Sequence, residues 1–257
     1  MPQLLAGRRV LVTGVLNEDS IAFAVAKNAQ LMGADVILTG AGRAKRLTEL
    51  TAKRLPEQAP VLEMDVTNDE QIEATVADVD ARWGRLDGLV HAIAFGPSTT
   101  IGGEFVGVPF EDVSKAIHIS TWSFARLGEA FRDLLRASDA ASYVGLTFDA
   151  SIAWPGYNWM GVCKAGLESA NRYVARDFGP DGIRVNLVSA GPLRTVAAKS
   201  VGGFDALQQH FVARAPMHWD LKDPDPTGKV VCSLLSPMMP CVTGEIVHCD
   251  SGFHAVA

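Results

Sequence analysis

The sequence has few cysteines, and none of the four stands in a Cys-x-x-Cys pair. Cys241 and Cys249 are eight residues apart, without the histidine pattern that is typical of zinc sites. This spacing predicts neither a disulfide framework nor a bound metal. We expect the four side chains to be small buried hydrophobes in a reducing compartment.

Long apolar runs and an excess of basic residues are also missing. No stretch approaches the roughly 20 consecutive apolar residues that a membrane-spanning helix needs. The start of the chain lacks the charged region, apolar region and cleavage site that are typical of a secretory signal. The net charge is −6, which argues against nucleic acid as a partner. We expect a protein of the cytoplasm that binds neither nucleic acid nor membrane.

Short runs rich in Val, Ile and Leu alternate with longer amphipathic stretches along the chain. Because the runs are continuously apolar, we expect both faces of the sheet to be covered. The predicted strands cover 9–13, 35–39, 61–64, 86–92, 142–147, 184–188 and 245–248. The predicted helices cover 20–32, 44–55, 68–83, 110–136, 157–178 and 226–235. This order predicts an α/β fold over 1–257, a single Rossmann-type domain with a doubly wound parallel sheet.

The first strand-to-helix turn of such a sheet is where dinucleotides bind. Here the strand ends at Thr13 and Gly14, the Gly-x-Gly-x-x-Gly pattern is absent, and the helix begins near Ser20 and Ile21. The turn would bring backbone N–H groups and a helix N-terminus to a pyrophosphate. By motif alone, a plain strand–helix turn explains these residues equally well.

The ends of the second and third strands carry candidates for the adenosine half of a dinucleotide. No carboxylate follows the second strand to accept a ribose 2′-hydroxyl, whereas Arg43 could receive a 2′-phosphate. We interpret Lys45 and Arg46 as the solvated first turn of a helix. Asp65 and Val66 suit an adenine pocket, although a turn position explains Asp65 as well.

The fourth predicted strand leads to residues that should pass under the cofactor, and a long loop follows the sixth. His91 lies at the strand end, where we expect a core histidine whose ring bonds to backbone. The segment of about 190–217 has weak periodicity and is predicted to be a functional loop over the substrate.

Tyr157 and Lys164 are seven residues apart, which places them two turns apart on one helical face, with Met160 between them. A lysine there can hold ribose hydroxyls, and a tyrosine can donate a hydrogen bond to a carbonyl that is becoming an enolate. The spacing is common by chance, so on spacing alone a packing aromatic and a solvated lysine explain it better.

The chain resembles the short-chain dehydrogenase superfamily and, within it, the bacterial enoyl-acyl-carrier-protein reductases, most of all their mycobacterial and streptomycete branch. Ordinary superfamily members carry Tyr and Lys four apart, but the residue four before Lys164 is Met160. A Tyr-x6-Lys arrangement with Phe148 nine residues before the tyrosine is the reductase signature. The matching segments are 13–14, 20–23, 65–66, 91–95, 144–149, 157–160, 164–168, 186–195 and 243–247.

The resemblance implies that trans-2-enoyl thioesters are reduced with NADH in type II fatty-acid synthesis, with NADPH left open. It implies an acyl-carrier-protein or CoA thioester as substrate, and a homotetramer. Tyr157 would stabilise the enolate, Lys164 would hold the cofactor ribose, and Phe148 would pack beside the nicotinamide. The implied cofactor contacts are Gly14, Ser20, Ile21, Asp65, Val66, Ala94, Lys164, Leu193 and Thr195, and the implied substrate contacts are Tyr157, Phe148 and Met160.

Several departures from the family pattern bear on specificity. Ala94 replaces a common glycine, and Ala41 stands where mycobacterial members have an aromatic that packs on adenine. The substrate loop is shorter than the mycobacterial one, which predicts short or medium acyl chains. A ketoreductase would need a tyrosine at Met160, and a non-catalytic dinucleotide sensor typically loses the tyrosine or lysine. An enoyl reductase of a specialised-metabolite pathway remains an alternative.

Overall fold

The sheet has seven parallel strands in the order β3-β2-β1-β4-β5-β6-β7. It is seen in a computed structural model that describes residues 3–195 and 204–256, and only the backbone of 204–206. The strand order reverses between β1 and β4, which opens a crevice at their carboxyl ends. The strands are Arg9–Val12 (β1), Asp35–Gly40 (β2), Val61–Glu63 (β3), Gly88–His91 (β4), Ser142–Thr147 (β5), Arg184–Ala190 (β6) and Ile246–Cys249 (β7).

Helices cover both faces of this sheet, which confirms the predicted doubly wound fold. Successive residues of β1 point to opposite faces, so Val10 and Val12 pack in one core cluster and Leu11 in the other. The helices are Ile21–Leu31 (α1), Gly42–Ala52 (α2), Asp69–Trp83 (α3), Phe110–Ile117 (α4), Ser123–Arg136 (α5), Asn158–Phe178 (α6), Phe204–Arg214 (α7) and Asp225–Leu235 (α8).

The helix predicted over 110–136 is interrupted by a π-helical turn, His118–Trp122, between α4 and α5. Ser120 is buried in this turn, and its hydroxyl bonds to both the N–H and the C=O of Phe95, each at 2.9 Å. The turn therefore holds the segment that follows β4. Such turns are common at functional sites, and the 3.6-residue pattern contains no signal for them.

The predicted loop over about 190–217 was wrong in part, because it contains α7. Residues 196–203 of that loop lie outside the described residues. The buried Leu207 and Phe211 of α7 pack against Leu193 and Trp219, which flank it in the chain. Leu207 and Phe211 are four residues apart and share one helical face, but a single pair is too short a pattern to predict a helix.

Other expectations hold with small changes. Ser20 and Asn68 are the N-caps of α1 and α3, and each accepts a backbone N–H. All four cysteines are free, but Cys241 is exposed and Cys249 is only half-buried, so it was wrong to expect buried side chains at these two positions. Over the described part of the chain, no helix has the length and apolar character needed to cross a membrane.

Candidate active site

The turn between β1 and α1 accepts only glycine at position 14. Gly14 has φ +81°, and an added Cβ would lie 2.1 Å from the carbonyl oxygen of Ala92. Beside it, the Thr13 hydroxyl donates to the Val90 carbonyl (2.9 Å) and accepts from the Ala92 N–H (3.1 Å). The ends of β1 and β4 are thus joined where the strand order reverses, and the chain passes closely over Ala92 at Gly14. This geometry fits the close approach of a dinucleotide phosphate.

The start of α1 faces the same crevice. The Ser20 hydroxyl accepts the Phe23 N–H (3.3 Å) and donates to the Asn17 carbonyl (2.7 Å). Ile21 packs both on the core beneath the sheet and on an aromatic cluster around Trp154. The structure brings Gly14, Ser20 and Ile21 to one edge, and their contacts with a cofactor stay predictions.

The residues predicted to lie at the adenosine end of the cofactor bond to, or pack against, other residues of the protein. Asp65 accepts the N–H (2.9 Å) and the hydroxyl (2.7 Å) of Thr67, so its carboxylate forms the turn that was the alternative interpretation. Val66 is buried in the core. Lys45 pairs with Glu49 at 2.6 Å, as expected of a solvated helical turn. The adenine pocket stays a prediction.

His91 is a buried core histidine, but its partner is a side chain. Its Nε2 lies 2.8 Å from the Ser123 hydroxyl of α5, instead of bonding to backbone as expected. Burial lowers the pKa of His91 to about 3, with a smaller contribution from the charge of Lys164. The ring is therefore neutral. Beyond it, Ala94 is exposed at the crevice, where the predicted cofactor would pass.

Tyr157 is the residue immediately before α6. Its ring meets that of Phe148 edge-on, with centroids 5.3 Å apart, and packs beside Met160 and Cys163. Burial raises the pKa of the phenol, and the nearby Cys163 adds to the effect. The phenol therefore keeps its proton at neutral pH, as a hydrogen-bond donor to a developing enolate requires.

Lys164 lies inside α6 and is 6% exposed. Its Nζ donates to the Leu146 carbonyl at the end of β5 (2.9 Å). Burial lowers the pKa of Lys164 to about 8, opposed by the charges of Cys163 and Glu168. The ammonium is held at the strand end that leads to Phe148, so its positive potential acts at this edge of the sheet.

This buried ammonium makes a pH-dependent contribution to stability. Its pKa is about 8 in the folded protein against 10.5 in the unfolded chain, so between these values the unfolded chain binds more protons. The free energy of unfolding of wild type relative to Lys164→Met is therefore expected to rise by roughly 1–2 kcal/mol from about pH 7.5 to about pH 9.5. Urea unfolding of both proteins without cofactor measures this. A flat or falling difference would contradict the assignment.

The sequence analysis missed an aromatic cluster behind Phe148. The Trp154 ring lies 5.0 Å from that of Phe148 and 5.5 Å from that of Phe253, and Phe253 stacks on Phe211 at 4.4 Å. Its members come from separate segments, so no local spacing indicates the cluster. The cluster packs against Phe148, a predicted substrate contact.

The remaining predicted site residues are placed as follows. Leu193 is 5% exposed within this cluster, and the Thr195 N–H bonds to the Leu193 carbonyl at 2.8 Å. Met160 is 4% exposed, packed on Ala116 and Cys163, so most of its surface is used inside the protein. Among the described residues, no group of three or more His, Cys, Asp or Glu could hold a metal ion.

The pattern of residues 14–254 matches the family model described as Enoyl-(Acyl carrier protein) reductase. This chain belongs to that family. The membership confirms the resemblance drawn from Tyr157, Lys164 and Phe148, and it agrees with a seven-stranded Rossmann-type sheet.

Curated relatives of full length support the same membership. An enoyl-[acyl-carrier-protein] reductase [NADH] of Mycobacterium avium is 45% identical, and one of Mycolicibacterium smegmatis is 43% identical. Both alignments cover 98% of this chain and 98% of the relative. The reductase [NADH] FabI of Escherichia coli is 36% identical, over 98% of this chain and 96% of the relative.

Proposed function

We propose that this chain reduces trans-2-enoyl thioesters of acyl carrier protein or CoA with NADH, in type II fatty-acid synthesis. The observation that carries the proposal is the placement of two groups beside the end of β5. Tyr157, immediately before α6, packs edge-on to Phe148, and the buried Lys164 ammonium of α6 bonds to the Leu146 carbonyl. Met160 occupies the position where a ketone-reducing relative would need its tyrosine. The relatives' names support NADH as the reductant and acyl carrier protein as the carrier.

Tyr157 and Lys164 have different roles in the proposed reaction. When bound, the reduced nicotinamide would supply a hydride to C3, while the C2–C3 π pair forms the C1–C2 double bond of the enolate and the carbonyl π pair moves to the thioester oxygen. Tyr157 donates a hydrogen bond to that oxygen and stabilises the enolate. A proton from water then adds at C2, so one NADH and one proton are consumed, and NAD⁺ and the saturated thioester are released. Lys164 would hold the ribose hydroxyls.

Steady-state assays with matched substrates test the proposal. Butenoyl, dodecenoyl and octadecenoyl thioesters are compared with a 3-ketoacyl thioester, each with NADH and with NADPH. We expect enoyl reduction with NADH, none of the ketoacyl substrate, and a lower kcat/KM for octadecenoyl than for dodecenoyl. Absence of turnover of every enoyl thioester with both cofactors would falsify the proposal. A higher kcat/KM for octadecenoyl would contradict only the short-chain preference.

We also propose a homotetramer, because large apolar side chains lie exposed on three adjoining elements. Phe110 of α4 is 82% exposed, Trp122 of the π-helical turn 58%, and Val162 and Tyr173 of α6 are 40% and 60% exposed. An exposed group of this kind favours an interface between chains. Sedimentation equilibrium of wild type is expected to give the mass of four chains. The double variant Trp122→Lys, Tyr173→Lys is expected to give a smaller mass. A wild-type monomer at micromolar concentration would rule this out.

The segment of about 190–217 is proposed as the substrate-binding loop. In its described part, Leu193 packs with Leu207 and Phe211 in the cluster that also contacts Phe148. Slower hydrogen exchange in this segment with a bound acyl thioester is the result expected of a substrate-binding loop, and unchanged exchange argues against it.

We also propose the cytoplasm as the compartment. Four free cysteines suit a reducing compartment. Cell fractionation that recovers the protein elsewhere would exclude the cytoplasm.

A further inference from the structure

Tyr157 is flanked on both sides by residues in the left-handed backbone region. Gly156 has φ +71° and Asn158 has φ +44°. Within the described residues, only Asn158 and Ser251 among the non-glycines have positive φ. Asparagine tolerates this region better than most residues, but it still needs surroundings that hold it there. The direction of the Tyr157 side chain therefore depends on what holds its two neighbours.

A glycine-containing segment bonds to the backbone on both sides of Tyr157. On one side, the Gly102 N–H donates to the Gly156 carbonyl (2.8 Å). On the other, the Asn158 side-chain amide donates to the carbonyls of Gly102 (2.8 Å) and Gly103 (3.2 Å). The three bonds hold Gly156 and Asn158 against one short stretch of chain.

The next residue of α6 continues the attachment. The Trp159 indole N–H donates to the Phe105 carbonyl (3.0 Å), and the two rings stack with centroids 4.7 Å apart and an interplanar angle of 18°. The segment 102–105 follows β4 and Ala94 in the chain, and Gly96 packs against Met160. The segment 102–105 thus connects the end of β4, beside the predicted cofactor site, with the turn that carries Tyr157.

We propose that Asn158 is a positioning residue for Tyr157. Its side-chain amide, bonded to the 102–103 carbonyls, keeps residue 158 left-handed, and so fixes where the phenol meets the thioester oxygen. This inference rests on the proposed role of Tyr157 in enoyl reduction. Since hydride transfer needs the phenol in place, a looser turn lowers the rate of the chemical step and leaves NADH binding alone.

The experiment compares Asn158→Gly, Asn158→Asp and Trp159→Phe with wild type. Glycine keeps the left-handed conformation accessible and removes the amide. Aspartate keeps the shape but replaces the donor by an acceptor. Either change at Asn158 is expected to lower kcat by about 10- to 100-fold, as a small misplacement of a reacting group does. Trp159→Phe keeps an aromatic ring, removes one donor and should cause a smaller fall. The Kd for NADH stays at the wild-type value.

A kinetic isotope effect separates positioning from stability. With deuterated NADH, the primary isotope effect on kcat is expected to rise in the Asn158 variants, because hydride transfer becomes more rate-limiting. Asn171→Ala is the matched control, since Asn171 also lies on α6 and its amide donates to a loop carbonyl, that of Glu245 (3.3 Å). It should lower the melting temperature without changing kcat or the isotope effect.

The outcomes are distinguishable from failure of the proposed function. Wild-type kcat and isotope effect in Asn158→Gly and Asn158→Asp, with reduced activity in Tyr157→Phe, would overturn the positioning role alone. Equal losses in Asn158→Gly and Asn171→Ala, tracking their melting temperatures, would reduce Asn158 to a stabilising residue. Unchanged activity in Tyr157→Phe would remove the role of the phenol itself.

Discussion

Tyr157→Phe is expected to lower kcat/KM for an enoyl thioester by about 100- to 1000-fold, the usual cost of losing a single donor to a developing oxyanion. The phenylalanine ring keeps the edge-on contact with Phe148 and the packing beside Met160, so the fold is retained. Only the hydroxyl is lost, and burial raises its pKa further above neutral pH, so the group lost is a protonated donor. Steady-state kinetics with dodecenoyl thioester, and NADH titration by fluorescence, measure the two effects.

Tyr173→Phe is the matched control, because the Tyr173 ring is 60% exposed on the same helix, where it stacks with Arg176. It should leave kcat/KM within about twofold of wild type, because the variant keeps the ring that the proposed interface would use and loses only a hydroxyl. A Tyr157→Phe enzyme equal to wild type would show that another group stabilises the enolate. An increased Kd for NADH, with kcat intact, would instead assign Tyr157 to the cofactor.

Gly14→Ala is the second change with a large expected effect. The new Cβ would lie 2.1 Å from the Ala92 carbonyl oxygen, and the alanine would be held at φ +81°. The Thr13 hydroxyl bonds to the Val90 carbonyl and to the Ala92 N–H, and so holds the turn against the end of β4. An added Cβ at residue 14 must therefore push the turn away from that strand. We expect NADH affinity to fall by about 100-fold, or about 2.7 kcal/mol, because the displaced turn no longer presents its backbone to the cofactor.

Gly84→Ala separates strain from collision. Gly84 is the left-handed cap of α3 with φ +64°, and an added Cβ there meets nothing within 4 Å. It should lower the melting temperature modestly and leave NADH affinity unchanged. If Gly14→Ala bound NADH as wild type does, the crevice between β1 and β4 would not be the phosphate site.

The fold was predictable because its signals are local and repeated. Apolar runs at Arg9–Val12 and Ser142–Thr147 are buried on both faces, and Ser20 and Asn68 begin helices by capping them. Strand–helix alternation then leaves few arrangements, and the doubly wound one is confirmed. Helix α7 was not predicted, because its buried pair, Leu207 and Phe211, covers little more than one turn and packs against residues outside the helix.

The candidate site was only partly predictable for a related reason. Tyr157 and Lys164 became significant through family motifs, since their spacing alone is common. Asp65 shows the limit of such reasoning, because its carboxylate serves a turn with Thr67 that local chemistry predicted equally well. The hydrogen bond from the Asn158 amide to the Gly102 carbonyl joins residues 56 positions apart in the chain, so no local sequence pattern predicts it.

The π-helical turn His118–Trp122 has a consequence for how this chain can change over evolutionary time. Removing one residue from a helix rotates everything after it by about 100°. The buried side chains continue through the turn at helical spacing, from Ala116 of α4 to Ser120 and then to Phe124 of α5. Loss of one codon in 118–122 would leave the composition nearly unaltered, yet it would turn an apolar stripe toward water. The spacing of this stretch is thus under tighter constraint than the identity of its residues.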